Sequence, residues 1–329
     1  MVDLALNNPA DIVERHPAIR RFERSDILFK RGTQMAALIV LLMFGGIVWA
    51  LYSGAEPAIR AFGFDFLWVE KWNPVTEKFG ALAPLYGTVI TSAIAIVLAV
   101  PIGIGIAIFL TEMCPRPLRR PVGVAVELLA GIPSIIYGIW GLFVLAPVLQ
   151  HTVQPWLIDA FADVPVLSDL FAGPPYGIGI LTAGLILAIM ILPFITAISR
   201  DVFEAVPHPL KEAAYALGST TWEVVWRVVL PFARNGVMGG VMLALGRALG
   251  ETMAVTFVIG NAHRISESIL APGTTISATI ANEFTEAVGD LYYAALIELG
   301  LLLFVVTFVV LALAQFMLYR LERRAGGRA

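Results

Sequence analysis

The chain has 329 residues, of which 58% are hydrophobic and only 14% charged, with a formal net charge of −3. Soluble domains carry about 45–50% apolar and about 25% charged residues, so this apolar fraction exceeds what the interior of one globule can hold. A soluble enzyme, a disordered chain and a secreted disulfide scaffold are excluded, and the single cysteine, Cys114, has no intrachain partner. What remains is a membrane protein whose apolar exterior faces lipid.

A spanning helix needs about 20 mostly apolar residues. In chain order, residues 1–34 are polar and mixed, too long a lead for a cleaved signal peptide, and read as a tail outside the membrane. Six candidate spans follow, at roughly 35–52, 85–110, 123–149, 176–198, 236–260 and 291–319. The third contains Gly131 and Pro133 and is expected to break there into two shorter helices. Residues 35–320 form one membrane domain, and 321–329 a short tail. The expected fold is an all-α integral membrane protein with about six transmembrane helices.

Basic residues mark the cytoplasmic side of a membrane protein. Of 22 Lys and Arg residues, 17 fall in the N-terminal tail, the 111–122 and 199–235 loops and the C-terminal tail. Four (Arg60, Lys71, Lys78 and Arg264) fall in the alternate loops, and Arg247 lies inside the fifth span. This alternation supports six spans and predicts that both termini are cytoplasmic.

The cytoplasmic segment 204–231 is the most informative. Pro207 and Pro209 restrict helix before Leu210, residues 210–217 are helix formers, and Gly218 is a stop. Ser219 or Thr220 can cap a second short helix over 221–229, which Pro231 is expected to limit. The result is a helix–turn–helix with a mixed surface of Tyr215, Leu217, Trp222 and Trp226 that can fit a groove on another protein. An ordinary amphipathic interfacial loop is the alternative.

Arg247 and Glu251 are expected near the middle of the fifth span, where a charge costs about 2.5–3.5 kcal/mol on insertion scales. Spaced i and i+4, they lie on one helical face and can pair. Gly236, Gly240, Gly246 and Gly250 thin that helix for close approach. An oxyanion crossing lipid needs fixed donors, and a guanidinium fork matches two phosphate oxygens. Glu251 would hold Arg247 in place, with Thr252 and Thr256 as neutral donors; the alternative is a structural ion pair. Glu127 and Glu298 are expected to face the bundle, while Glu112 and Asp290, at span ends, are expected to be solvated. No His/Cys/Asp/Glu spacing suggests a metal site.

The run Glu212-Ala213-Ala214, Gly218, then Val228-Val229-Leu230-Pro231 resembles the EAA motif of bacterial ABC importer permeases, with Val228 where the family favours Ile. The runs Gly131 to Phe143 and Gly246 to Ala254 resemble the phosphate-specific transport (Pst) permeases over roughly residues 30–320, the first run being more similar to the PstC type than to the PstA type. The resemblance implies a type I ABC importer permease fold, a coupling helix that docks on a nucleotide-binding subunit, and a part in transport for Arg247 and Glu251. The implied partners are a PstB-like ATPase dimer, a PstA-like second permease and a PstS-like extracytoplasmic phosphate-binding protein. ATP and Mg belong to the ATPase: a P-loop ends in Gly-Lys-Ser/Thr, and none of the four lysines here (Lys30, Lys71, Lys78, Lys211) follows a glycine.

The implied function is inward phosphate transport at the bacterial inner membrane. Another oxyanion, sulfate or molybdate, would suit an arginine equally, and an ion-coupled secondary transporter explains the intramembrane charge but not the Glu212-Ala213-Ala214 loop. An intramembrane enzyme ranks last, since neither a His-Glu-x-x-His nor a Gly-x-Ser-x-Gly motif is present.

Overall fold

A computed structural model describes residues 17–326. Among the described residues the only extended pairing is one bridge between Asn73 and Lys78, and six helices are long and apolar enough to cross a membrane. The helices are α1 (Pro17–Phe62), α2 (Leu82–Ile108), α3 (Arg116–Ala130), α4 (Ser134–Phe161), α5 (Leu167–Leu170), α6 (Ile180–Glu204), α7 (His208–Ala216), α8 (Thr221–Leu249), α9 (Met253–Thr256), α10 (Ile276–Glu283) and α11 (Asp290–Gly326).

The chain divides into two compact units at Ser53–Gly54. In the first unit, α1 is continuous from Pro17 into its apolar stretch, so residues 17–34 of the expected tail are helical. The rest of that tail lies outside the described residues. The apolar side chains from Leu38 to Phe44 are all more than half exposed, as suits a surface solvated by acyl chains rather than water.

In the second unit, from Gly54 on, α6 is the central and most buried span. Ala95 and Ala99 of α2 and Ala183 and Ala188 of α6 share one core cluster with Ile186, Ile191 and Ile195. A Cβ added at Gly236 or Gly240 of α8 would stand 2.6 or 2.7 Å from Val202 or Ile198 of α6. These small residues let backbones approach closely, where dispersion rather than water exclusion holds helices together. Gly246 and Gly250 have no such neighbour in α6.

The break in the third candidate falls as expected, between Ala130 and Ser134, because Pro133 carries no N–H and pushes Ile132 out of helical conformation. The span itself is Ser134–Phe161, not 123–149. The break is tied shut by the Tyr137 hydroxyl, which donates to the Leu129 carbonyl at 2.8 Å.

Four prolines share one pattern, which Pro57, Pro101 and Pro193 inside α1, α2 and α6 do not. Wide, π-type turns occupy Phe109–Met113, Gly141–Leu145, Leu149–Val153 and Val225–Val229, each ending two residues before a proline: Pro115, Pro147, Pro155 and Pro231. A proline lacks the N–H of the i→i−4 bond and its ring clashes with that carbonyl. The π turn relieves the clash by widening the preceding turn. Helix continues past Pro147, Pro155 and Pro231, and ends at Cys114 only before Pro115. The expected stop at Pro231 is therefore corrected: α8 runs through it.

The fifth span is corrected at its other end. Instead of reaching 260, α8 stops at Leu249. After short α9 the chain runs without helix to Thr275, pinned by backbone bonds from Gly179, Ile180 and Leu181 to the carbonyls of Val258, Ala271 and Ile269 at 2.8–3.2 Å. Non-helical backbone at membrane depth persists only where protein or a water-filled cavity satisfies it.

Candidate functional site

The segment 204–231 folds into a hairpin. Pro209 sits in the first turn of α7, so that helix begins at His208, two residues earlier than expected. Gly218 adopts φ +85°, a left-handed conformation that other residues resist. Thr220 then caps α8: its Oγ1 accepts from Glu223 N at 3.4 Å while Glu223 Oε2 accepts from Thr220 N at 3.0 Å, a reciprocal capping box.

One side of the hairpin is anchored. Val224, Val229, Ala233 and Val237 share a cluster with Phe203, Val206 and Ala107. Lys211 Nζ lies 2.6 Å from Glu112 Oε1 at the end of the second span, with the two side chains only 11% and 7% exposed, and it also reaches the Phe203 carbonyl at 3.4 Å. Glu112 was expected in solvent; it is instead half of a buried ion pair. The other side is open. Glu212, Ala213, Tyr215, Leu217, Trp222 and Trp226 are exposed, Leu217 at 88%, and the two tryptophan rings meet at a tilt of 59°, their centroids 5.2 Å apart. Ala214 and Leu230 are half-buried, and Pro231 is exposed. An anchored hairpin with an apolar, unpartnered outer face can transmit a push from a docked protein into the spans behind it.

The second candidate site is the break in the fifth span. Arg247 is exposed in the last turn of α8, and Gly250 ends that helix. Glu251 and Thr252 therefore lie beyond the helix, and the expected i, i+4 pair does not form. Among the described residues Arg247 has no ion-pair partner. Glu251 Oε1 instead accepts from Ala254 N at 3.3 Å and supports the turn into α9. The hydroxyls of Thr252 and Thr256 donate to the carbonyls of Gly250 (3.4 Å) and Thr252 (2.8 Å), so in this conformation their protons are engaged internally. The free donor at the break is the Arg247 guanidinium, five N–H groups in a planar fork. In secondary transporters, broken helices with unwound backbone often form the substrate site.

A third cluster, at the start of the sixth span, clamps the loop that follows the break. Trp72 Nε1 and the Tyr292 hydroxyl both donate to Glu283 Oε2 at 2.5 Å, and His263 Nε2 sits 2.7 Å from Oε1. The His263 ring stacks on Trp72 at 5.5 Å. Burial pushes the Glu283 carboxyl up, but the bonds from His263, Tyr292 and Trp72 outweigh it and hold the pKa below the usual carboxylate range. Sequence reasoning passed over this cluster, since its members are scattered from 72 to 292 with no local spacing.

Residues 99–326 match the model of the family described as binding-protein-dependent transport system inner membrane component. The chain belongs to this family. As a permease of that kind it is a multi-pass inner-membrane protein and the membrane component of an ABC importer, not an enzyme. It is 68% identical, over 97% of both chains, to a protein of Mesorhizobium japonicum named phosphate transport system permease protein PstC. A protein of the same name from Pasteurella multocida is 56% identical over 92% of this chain and 94% of its own. One named probable phosphate transport system permease protein PstC, from Methanocaldococcus jannaschii, is 38% identical over 89% and 93%. Among solved structures, a bacterial ABC transporter involved in the import of the acidic polysaccharide alginate has a chain that superposes with a TM-score of 0.58 at 18% identity, covering 90% of this permease and 99% of that chain. That likeness supports the fold alone.

Proposed function

We propose that this permease carries inorganic phosphate into the cytoplasm as one membrane subunit of an ATP-driven importer, with ATP and Mg held by a separate PstB-like ATPase dimer. The observation that carries this reading is the 68% identity, end to end, with a phosphate transport system permease. A PstA-like permease and a PstS-like binding protein complete the assembly. The Lys/Arg asymmetry supports cytoplasmic termini and a cytoplasmic hairpin. On that side Glu212, Ala213, Ala214 and Gly218 belong to the coupling surface, with Leu230 and Pro231 continuing it into α8.

The mechanism follows from the two sites. ATP binding closes the motor subunits, which push on the exposed face of α7 and the start of α8. Because α8 is one helix from Thr221 to Leu249, that push arrives at Arg247. The guanidinium offers a paired donor set to two phosphate oxygens as the spans alternate between outward and inward openings. Glu251 acts on the turn rather than on Arg247, keeping the break in shape. An arginine serves sulfate or molybdate as well, so selectivity is the point to test.

The experiment is phosphate uptake in cells lacking the chain and complemented with wild type or Arg247→Gln. Wild type restores uptake that excess sulfate or molybdate does not compete away, while Arg247→Gln assembles normally and does not transport. Uptake that survives ATP depletion overturns the importer reading, and normal uptake by Arg247→Gln overturns the role of that residue.

A further inference from the structure

The end of the permease that carries the hairpin also holds a charged cavity of about 400 Å³ with no part in the coupling surface or the break. Arg116, Arg119 and Arg120 of α3 line it, with Arg200 of α6 opposite and the carboxylates of Glu127 and Glu204 at its edge. Two of the guanidiniums are held rigidly. Arg119 Nη2 donates to the Thr111 carbonyl at 2.6 Å. Arg200 Nη2 pairs with Glu127 at 2.7 Å and Asp201 at 3.1 Å, and Glu204 lies 3.9 Å from its Nε. Both Arg119 and Arg200 nevertheless keep a buried Nε that no acceptor satisfies. Arg116 and Arg120 are exposed and have no ion-pair partner among the described residues.

Space for this arrangement comes from Gly123, where a Cβ would stand 2.9 Å from Arg200 Nη1. With Glu127 neutralised by Arg200, the lining is left with three guanidiniums against Glu204, a net positive cavity with unsatisfied donors. Its level is also defined: the second span ends at Met113 and the fourth at Glu204, the depth at which lipid headgroups sit. On the same helix, Leu118, Val124, Leu128 and Leu129 are exposed apolar side chains, a flank for acyl chains.

We propose that this cavity binds a phosphate group, presented as the phosphodiester of an anionic membrane lipid. Basic pockets between spans on the cytoplasmic side hold such headgroups, and the forked guanidinium matches two non-bridging oxygens. The apolar flank favours a tailed ligand over free phosphate.

The test is native mass spectrometry of the full chain, purified in mild detergent with its co-purifying subunits and exchanged into phosphatidylglycerol or phosphatidylcholine, with inorganic phosphate titrated separately. Phosphatidylglycerol should stay bound and phosphatidylcholine should not. The Arg116→Gln/Arg120→Gln variant should lose phosphatidylglycerol occupancy by roughly ten-fold or more. If that variant does not assemble, Arg116→Lys/Arg120→Lys keeps the charge, removes the fork, and should retain an intermediate occupancy. Equal retention of both lipids, or undiminished occupancy in the variants, overturns the site. Displacement of the lipid by millimolar inorganic phosphate overturns the lipid assignment and makes the ligand the free anion.

Discussion

The buried pair Lys211–Glu112 gives the sharpest quantitative expectation. The separation is 2.6 Å and neither side chain is more than 11% exposed, so screening by water is slight. Lys211→Met leaves Glu112 buried and unpaired, and Glu112→Leu leaves Lys211 with one long bond to the Phe203 carbonyl. Removing one partner of such a pair costs about 3–5 kcal/mol, whereas replacing both with apolar residues is close to neutral. The pair lies where the hairpin meets the second span, so the loss shows first as local opening of residues 208–216. A loss of about 3 kcal/mol raises that opening roughly a hundredfold, readable as faster amide exchange across α7. The double variant Glu112→Leu/Lys211→Met should recover to within about 1 kcal/mol. If Lys211→Met exchanges like wild type, or the double variant is no better than the singles, the pair is not what anchors the hairpin.

Other expectations follow from single positions. In Gly87→Ala the new Cβ would lie 1.9 Å from the Thr274 carbonyl oxygen, so the thermal midpoint should fall sharply. Gly105→Ala, in the same helix with nothing within 4 Å, should stabilise by about 0.5–1 kcal/mol. Gly218→Ala forces φ +85° on a residue with a Cβ, at about 1–2 kcal/mol; uptake should fall while the spans stay folded, as seen by unchanged helical circular dichroism. The folded pKa of Glu283 is held down, so its contribution to stability is complete above the unfolded value of about 4.3 and is lost as pH falls through the folded value. A thermal-midpoint series from about pH 6 down to about pH 2 should show wild type converging on Glu283→Gln only below about pH 4.3, and parallel curves there would refute the assignment.

What was legible in the sequence was what periodicity, proline and glycine dictate locally. Six apolar stretches, the break before Ser134, the Gly218 turn and the Thr220 cap all follow from neighbours within about a turn of helix. Among the local readings that failed, two in α8 have a plain physical cause. Pro231 does not stop α8 because a π turn absorbs it, and a widened turn leaves no mark on composition. The fifth span does not reach 260 because the stretch after Gly250 takes hydrogen bonds from residues 179–181, 79 to 91 positions away in sequence. The partners of Glu112, Glu127 and Glu283 were out of reach for the same reason: long-range pairing has no spacing rule. Arg247 was found by its cost in lipid alone, but the helix end that frees it from Glu251 was not.

The wide turn ahead of Pro231 also resets the angular phase of α8. A π turn places one more residue in the helix than an uninterrupted α-helix would use, and each residue advances the side-chain direction by about 100°. The stripe that carries Trp222 and Trp226 on the hairpin is therefore not the stripe that carries Arg247 at the far end. The π turn therefore fixes the angular offset between docking face and path face, and a change that restored regular helix there would rotate one against the other by about 100°.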